Sequence, residues 1–193
     1  YGCSALGTVS GGDTADVTDM SSMFERATQV RPNTTTWNTE AVTNMASLFA
    51  FTDQANPDTR DWNTARVTDM SRMFRSALGA TPETGQWDTA QVTDMFEMFA
   101  MFSTTLRKGR QITTSLESNM DPDTRDWNTA RVTDMSRMFR GARRANPDTS
   151  RWDTSQVTDM SALFSQTNSA RPDTGNWHTG KVVNMAQMFD LAT

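Results

Sequence analysis

The chain has 193 residues and a formal net charge of −5, with 18 basic and 23 acidic side chains. No stretch of about 18 apolar residues is present, which excludes a transmembrane helix, and the acidic balance excludes the broad basic surface of a nucleic-acid-binding domain. A single cysteine, Cys3, leaves no internal disulfide and no thiolate metal cluster.

One sequence unit recurs along the chain at a fixed offset of 25 residues. Valines and tryptophans mark this offset: Val17, Val42, Val67, Val92, Val132, Val157, Val182, Trp37, Trp62, Trp87, Trp127, Trp152 and Trp177. A fixed period of about 20 to 50 residues is typical of a solenoid, in which each unit contacts its neighbours. Because catalysis needs a singular group of residues and a repeat supplies copies, we expect no enzyme and no catalytic residues.

The units follow one another as a single predicted solenoid over 1–193. A degenerate first unit occupies 1–16, and regular repeats occupy 17–106 and 122–193. Between Val92 and Val132 the step is 40 residues instead of 25. We interpret 107–121 as a degenerate, shortened repeat, and we predict a bulge or kink of the solenoid there.

Each regular unit begins with a turn and a short strand. Pro57 belongs to a column of prolines that fixes φ and stops the preceding element. After it, Trp62 and Thr64 alternate with the polar Asn63, and a period of two predicts a strand.

The second half of the unit has the spacing of a helix. Met70, Met73, Phe74 and Ala77 lie at i, i+3, i+4 and i+7, with Asp69 in front as a candidate N-cap. The predicted fold class is therefore an α/β solenoid. It resembles a leucine-rich repeat, a right-handed coil with one short parallel strand and one short helix per 25-residue repeat.

A more specific resemblance lies in the segments that run from tryptophan to phenylalanine. These are WNTARVTDMSRMF at 62–74 and again at 127–139, WDTAQVTDMFEMF at 87–99 and WDTSQVTDMSALF at 152–164. They resemble the bacterial surface protein tandem repeat (the BspA-like, DUF285 type), whose length of roughly 26 residues lies in the range of leucine-rich repeats. The resemblance implies a surface protein or lipoprotein of a kind often grouped with leucine-rich surface adhesins.

Three kinds of column have both a structural and a functional interpretation. We expect the methionines to form a core with the phenylalanines and tryptophans, rather than a thioether metal site. The Asp and Asn columns are expected to cap helices and close turns, with Ca²⁺ binding by stacked carboxylates as the alternative. Two threonine columns are expected to bond between units in the interior, with ice binding by the threonine ladders as the alternative. No cofactor is expected otherwise.

The candidate interaction surface consists of basic residues at variable positions of the repeats and of a basic patch in the interruption, where an anionic partner could bind. It contains Arg75, Arg107, Lys108, Arg110, Arg140 and Arg144. The sequence favours a non-enzymatic extracellular or cell-surface repeat protein for adhesion or ligand binding. Its expected partners are other proteins, surface glycans or copies of itself. We expect no binding of nucleic acid and no membrane-spanning segment. The alternative is a structural subunit that assembles end to end into a filament, because neither end carries a polar cap.

Overall fold

The computed structural model describes residues 7–9, 12–107 and 110–192. Its strands are β1 (Thr8–Val9), β2 (Arg31–Pro32), β3 (Phe102–Arg107) and β4 (Arg110–Ser115). Strands β1 and β2 form a short parallel pair, whereas β3 and β4 form an antiparallel hairpin. These described ranges contain no helix, and therefore no helix with the length and apolar character needed to cross a membrane.

The prediction of an α/β solenoid with one helix and one strand per repeat is therefore wrong. Residues assigned to the helix form turns, and the segment between tryptophan and valine is not a strand. Neighbouring repeats are instead joined by single parallel bridges. These bridges are Asp19↔Asn44, Asn44↔Asp69, Asp69↔Asp94, Asp94↔Asp134, Asp134↔Asp159 and Asp159↔Asn184.

Backbone hydrogen bonding in the third repeat explains why no helix forms. The N–H groups of Arg72 and Phe74 donate to carbonyls of the next repeat, at Phe96 and Met98, over 2.7 and 2.9 Å. The N–H of Met73, which lies between them, donates to the carbonyl of Met70, three residues back, at 3.2 Å. Every second backbone N–H thus donates to a carbonyl of the neighbouring repeat, so the i to i−4 hydrogen bonds of a helix cannot form.

A left-handed residue in each turn makes this alternation geometrically feasible. The second residue after the first core methionine has φ between 53° and 59° in all seven repeats: Ser22, Ser47, Arg72, Glu97, Arg137, Ala162 and Gln187. A left-handed conformation costs a non-glycine residue about 1–2 kcal/mol. Isolated helices this short are marginal in any case. The hydrogen bonds between repeats therefore decide in favour of the turns.

The core consists of ladders in which like side chains lie over like, as the sequence predicts. Seven phenylalanines stack from Phe24 to Phe189 with ring centroids 5.5–6.0 Å apart. Tryptophan rings from neighbouring repeats stack at 5.8–6.4 Å. The methionines of the core are buried from Met20 to Met160, except Met23. The predicted core of Met, Phe and Trp is confirmed.

The two threonine columns lie inside this stack from Thr34 to Thr154, and only their last members, Thr174 and Thr179, are exposed. Thr34 and Thr59 are buried, and their hydroxyls donate to the carbonyls of Asp58 and Glu83 in the following repeat, at 2.7 and 2.8 Å. In the parallel column, Thr64 donates to the next repeat in the same way. The interior interpretation of these threonines is confirmed, and their hydroxyls stitch one repeat to the next.

Strands β3 and β4 lie in the 40-residue step between the fourth and fifth repeats. Across this step Met95 donates to the carbonyl of Asp134 at 3.0 Å, and Phe99 donates to that of Met138 at 2.9 Å. These are the bonds made across every 25-residue step, so the fifth repeat follows the fourth directly in the stack. The extra residues of this step include the hairpin of β3 and β4. The limits 107–121 given above for a shortened repeat stay a prediction.

Replacing Ala162 with glycine tests the left-handed turn. Its φ is 53° and its side chain is buried. Relief of about 1–2 kcal/mol of backbone strain offsets the loss of one buried methyl, about 0.8 kcal/mol, and the greater entropy of glycine in the unfolded chain, about 0.4–1 kcal/mol. Ala162→Gly should therefore leave the free energy of unfolding nearly unchanged in urea denaturation, within about 0.8 kcal/mol of the wild type.

Ala46→Gly is the matched control, because Ala46 is not among the residues with positive φ. There the same change should lower the free energy of unfolding by about 0.5–1 kcal/mol. A helix would make both substitutions destabilising. A loss of more than about 1 kcal/mol at Ala162 would contradict the turn.

Candidate functional site

The left-handed column projects charged side chains from three successive repeats. Arg72, Glu97 and Arg137 occupy this position in the third, fourth and fifth repeats. The carboxylate of Glu97 accepts from the Nε of Arg72 and from a terminal nitrogen of Arg137, both at 3.3 Å. Arg75 adds a third contact to Glu97, at 3.0 Å. Only 3% of the Glu97 side chain is exposed, so one buried carboxylate holds three guanidinium groups.

Beside these charges, arginines alternate with phenylalanines along the stack. The guanidinium carbons of Arg26 and Arg75 lie 5.0 and 4.8 Å from the ring centroid of Phe51, and that of Arg75 lies 4.9 Å from Phe102. Arg140 contacts Phe102 at the same distance. Each ring therefore has a guanidinium from the repeat before it and another from the repeat after it, in cation–π geometry.

A second, shorter stack runs parallel to the first. The guanidinium carbons of Arg72 and Arg137 lie 4.7 and 5.7 Å from the ring centroid of Phe96. We call the two stacks together the Arg–Phe face. It consists of Arg26, Phe51, Arg72, Arg75, Phe96, Glu97, Phe102, Arg137 and Arg140.

A groove of 810 Å³ lies over this face, lined in part by Arg26, Arg72 and Arg75. The five arginines of the face have Glu97, Glu25 beside Arg26, and Asp53 in the groove wall among their neighbours. Asp94, Asp159 and Asp190 also interact electrostatically with Arg72, Arg137 and Arg140. The face thus concentrates five of the arginines of a chain whose net charge is −5. Nearly half of the Arg72 and Arg137 side chains and two thirds of that of Arg26 remain exposed.

Crowding of like charges is evident in two of these arginines. Burial lowers the pKa of Arg75, Glu97 works in the opposite direction, and the neighbouring Arg72 and Arg137 lower it further. Burial and then Arg137 also lower the pKa of Arg140. Arg75 and Arg140 both stay charged at neutral pH, because arginine is not deprotonated in proteins. An added anion would relieve this repulsion.

The structure brings together part of the predicted interaction surface. Arg75 and Arg140 belong to the Arg–Phe face, whereas Arg144 donates to the side chain of Asn119 at 2.7 Å, outside it. For Arg107 and Arg110 only the backbone is described; the two residues pair at the end of the hairpin. Lys108 lies outside the described residues.

Sequence reasoning missed most of the face. The missed residues are Arg26, Phe51, Arg72, Phe96, Glu97, Phe102 and Arg137. One sequence signal could have found part of them: Phe96 and Phe102 replace small or polar residues of the other repeats, and Glu97 lies in its column between Arg72 and Arg137.

The Asp and Asn column before the core methionines closes turns. Asp69 and Asp94 each accept the backbone N–H two residues ahead, at 2.8 Å. Burial raises the pKa of Asp94, and the flanking carboxylates of Asp69 and Asp134 raise it further. Within 7–9, 12–107 and 110–192, no cluster of three or more His, Cys, Asp or Glu side chains could hold a metal ion.

Comparison with known proteins gives one family. The family model described as "Mycoplasma protein of unknown function, DUF285" matches residues 2–111 and 111–193. The two matches in tandem confirm the predicted resemblance and the repeat character of the chain. None of the curated proteins and none of the solved structures in the comparison matches.

Glu97→Gln should destabilise the protein through the Arg–Phe face. The substitution leaves Arg72, Arg75 and Arg137 close together without their shared counter-charge. Breaking a buried ion pair costs about 3–5 kcal/mol, and solvent screening of the two half-exposed arginines reduces this to about 2 kcal/mol. The urea midpoint should fall with an unchanged slope. Glu40→Gln, an exposed change outside the face, should have almost no effect. Equal midpoints for both variants would contradict the role given to Glu97.

Asp94→Asn should stabilise the protein at neutral pH. An asparagine keeps the acceptor for the N–H of Phe96, and it can donate to a neighbouring carboxylate as Asn44 does to Asp19 at 3.3 Å. The folded pKa of Asp94 is raised above the ordinary 3.8, so its carboxylate costs stability as the pH rises through that pKa. After screening, the gain is a few tenths to about 1 kcal/mol at pH 7.

This gain should vanish below the ordinary carboxyl pKa of 3.8, where the aspartate is neutral in both states. Asp159→Asn is the control in the same column. Burial opposes the shift there, but hydrogen bonds from Ser161 and Asn184 lower the pKa of Asp159. Its carboxylate therefore stabilises the fold above pH 3.8, and its loss should destabilise at pH 7. The same sign for both variants would contradict this assignment.

Proposed function

We propose that this chain, which belongs to the DUF285 family, is a non-enzymatic binding protein that engages an anionic partner through the Arg–Phe face. The observation that carries the proposal is the concentration of five arginines on one face of an acidic chain. Their planar guanidinium groups match carboxylate, sulfate and phosphate groups with paired hydrogen bonds. Stacking against the rings and contact with Glu97 hold several of them in place before a partner arrives.

Preorganisation supports binding over a purely structural role. A buried carboxylate that gathers three arginines costs desolvation, and buried ion pairs are weak contributors to stability. Residues fixed before association lose less conformational entropy when a partner binds. The partly exposed Arg72 and Arg137 leave N–H groups available to that partner, and the groove above Arg26 and Arg75 gives room for it.

The proposed setting is extracellular or at a cell surface, as the resemblance to bacterial surface repeats implies. Adhesion is then the corresponding activity, because cell surfaces carry many anionic groups. End-to-end assembly into a filament stays the alternative prediction. Ice binding by threonine ladders stays a third, although the two columns considered for it are buried and donate to the next repeat.

Binding of fluorescently labelled protein to intact animal and bacterial cells tests this function by flow cytometry. The wild-type chain should bind at least one of them at low salt, and high salt should weaken the binding because exposed charges are screened. Removing two charges at the ends of the face, in Arg26→Gln combined with Arg140→Gln, should lower the bound fraction at least about tenfold.

The control removes the same charge elsewhere. Arg60→Gln combined with Arg125→Gln changes two exposed arginines that pair with Asp58 and Asp123 in the turns before tryptophan. It should bind as the wild type does, and thermal unfolding should show that both double variants are folded. Equal losses in the two double variants, or no binding by the wild-type chain, would overturn the proposal.

A further inference from the structure

The cations of the Arg–Phe face are spaced by the repeat. The first, third and fifth repeats supply arginine, whereas the second and fourth supply phenylalanine. The guanidinium carbons of Arg26 and Arg75 lie on either side of Phe51, and those of Arg75 and Arg140 on either side of Phe102. Successive cations are therefore at most about 10 Å apart, close to two strand spacings. They form a line along the stack.

The backbone of this face is not available for a peptide strand. The N–H groups of Arg26, Phe51 and Ser76 donate to carbonyls of the following repeat at 2.7–2.8 Å. Recognition of a peptide by strand addition needs an open sheet edge. Because these donors and their acceptors are already paired, side-chain charge is what the face offers.

The rings of this face are not available for stacking either. Phe51, Phe96 and Phe102 each carry an arginine on both sides. Proteins that bind single-stranded nucleic acid stack bases on open aromatic rings, and polyproline segments dock into open aromatic grooves. Both modes need ring surface that the guanidinium groups already cover. The ligand that remains is a linear chain read through anionic groups at a regular spacing.

We propose that the Arg–Phe face binds a linear acidic polysaccharide that lies along the stack, with carboxylates or sulfates at Arg26 and Arg140 and one between them near Arg75. At this central position the side chain of Arg75 is 20% exposed and also contacts Glu97, and the half-exposed Arg72 and Arg137 add further N–H groups. This inference rests on the proposed function and narrows its partner to one chemical class. Two sugar residues of an extended chain span a distance comparable to the spacing of the arginines. A polymer that alternates an acidic with a neutral sugar therefore places its charges in register with the face.

Several anion-binding positions in register explain how weak individual contacts can add up to a measurable affinity. Each partly exposed guanidinium–anion pair contributes little by itself. When the anions belong to one chain, the second and third contacts form at a high effective concentration, and affinity rises without new chemistry. Arginine is suited to this role, because its planar fork binds a carboxylate or sulfate with two hydrogen bonds where lysine offers a point charge.

The test is a binding titration with polymers of matched length. The probes are hyaluronan and chondroitin sulfate, which alternate acidic and second sugars and differ in sulfation, together with polyglutamate, single-stranded oligothymidylate and neutral dextran. One or both of the alternating polysaccharides should bind at least about tenfold more tightly than polyglutamate or the oligonucleotide, because only they match the spacing. Their relative affinities distinguish carboxylate from sulfate as the preferred group. Dextran should not bind.

Variants connect this binding to the face. Arg26→Gln with Arg140→Gln should lower polysaccharide affinity at least about tenfold, whereas Arg60→Gln with Arg125→Gln should not. Arg26→Lys with Arg140→Lys keeps the charge and the fold, and it should still lose affinity because paired hydrogen bonding is gone. Thermal unfolding of each variant confirms that it is folded.

The outcomes separate this inference from the proposed function. If polyglutamate or the oligonucleotide binds as tightly as the polysaccharides, or if the lysine variant binds like the wild type, the polysaccharide inference is wrong. The proposed function survives that result as long as Arg26→Gln with Arg140→Gln still abolishes cell binding. If this variant changes neither assay, both proposals are wrong.

Discussion

The structure depends on one hydrogen-bond register between neighbouring repeats. In each turn segment every second backbone N–H donates to the repeat ahead, as those of Met20, Ser22 and Phe24 do to Asn44, Ala46 and Leu48. This register places equivalent residues over each other at the spacing of hydrogen-bonded strands. The phenylalanine and tryptophan ladders, the buried threonine hydroxyls and the Arg–Phe face all follow from it, since each needs residues about 25 positions apart to be neighbours.

Stacking like over like suits rings and hydroxyls, but it penalises charges. Equal charges directly opposite each other on neighbouring strands are destabilising, and the raised pKa of Asp94 between two other aspartates shows this cost. The chain reduces it in two ways. Asparagine interrupts the aspartate column at Asn44 and Asn184, where it donates to the neighbouring carboxylate. On the Arg–Phe face, phenylalanine or glutamate separates arginines of alternate repeats.

The sequence was sufficient for the repeat, the family and the core, because burial of the same columns repeats in every unit. It was misleading for the helix. Apolar residues at i, i+3, i+4 and i+7 also arise when two turns follow each other, each with a left-handed residue at its corner, as Arg72 and Ser76 show. Both arrangements turn Met70, Met73, Phe74 and Ala77 inward. Residue spacing shows which side chains are buried, but it does not show which carbonyl accepts each backbone N–H. The acceptors of these hydrogen bonds are what distinguish turns from a helix.

The Arg–Phe face was not predictable from the repeat because it consists of departures from the repeat. Phe96 and Glu97 occupy positions that are small or polar in the other units, Phe51 occupies one that varies from unit to unit, and Phe102 begins the inserted hairpin. The stack tolerates these changes because its register is fixed elsewhere, by the bridges and by buried hydroxyls. Even fifteen or so inserted residues leave the fourth and fifth repeats paired as the others are. Regular columns supply the stability in such a chain, and the exceptions among its outward positions are where a specific surface can arise.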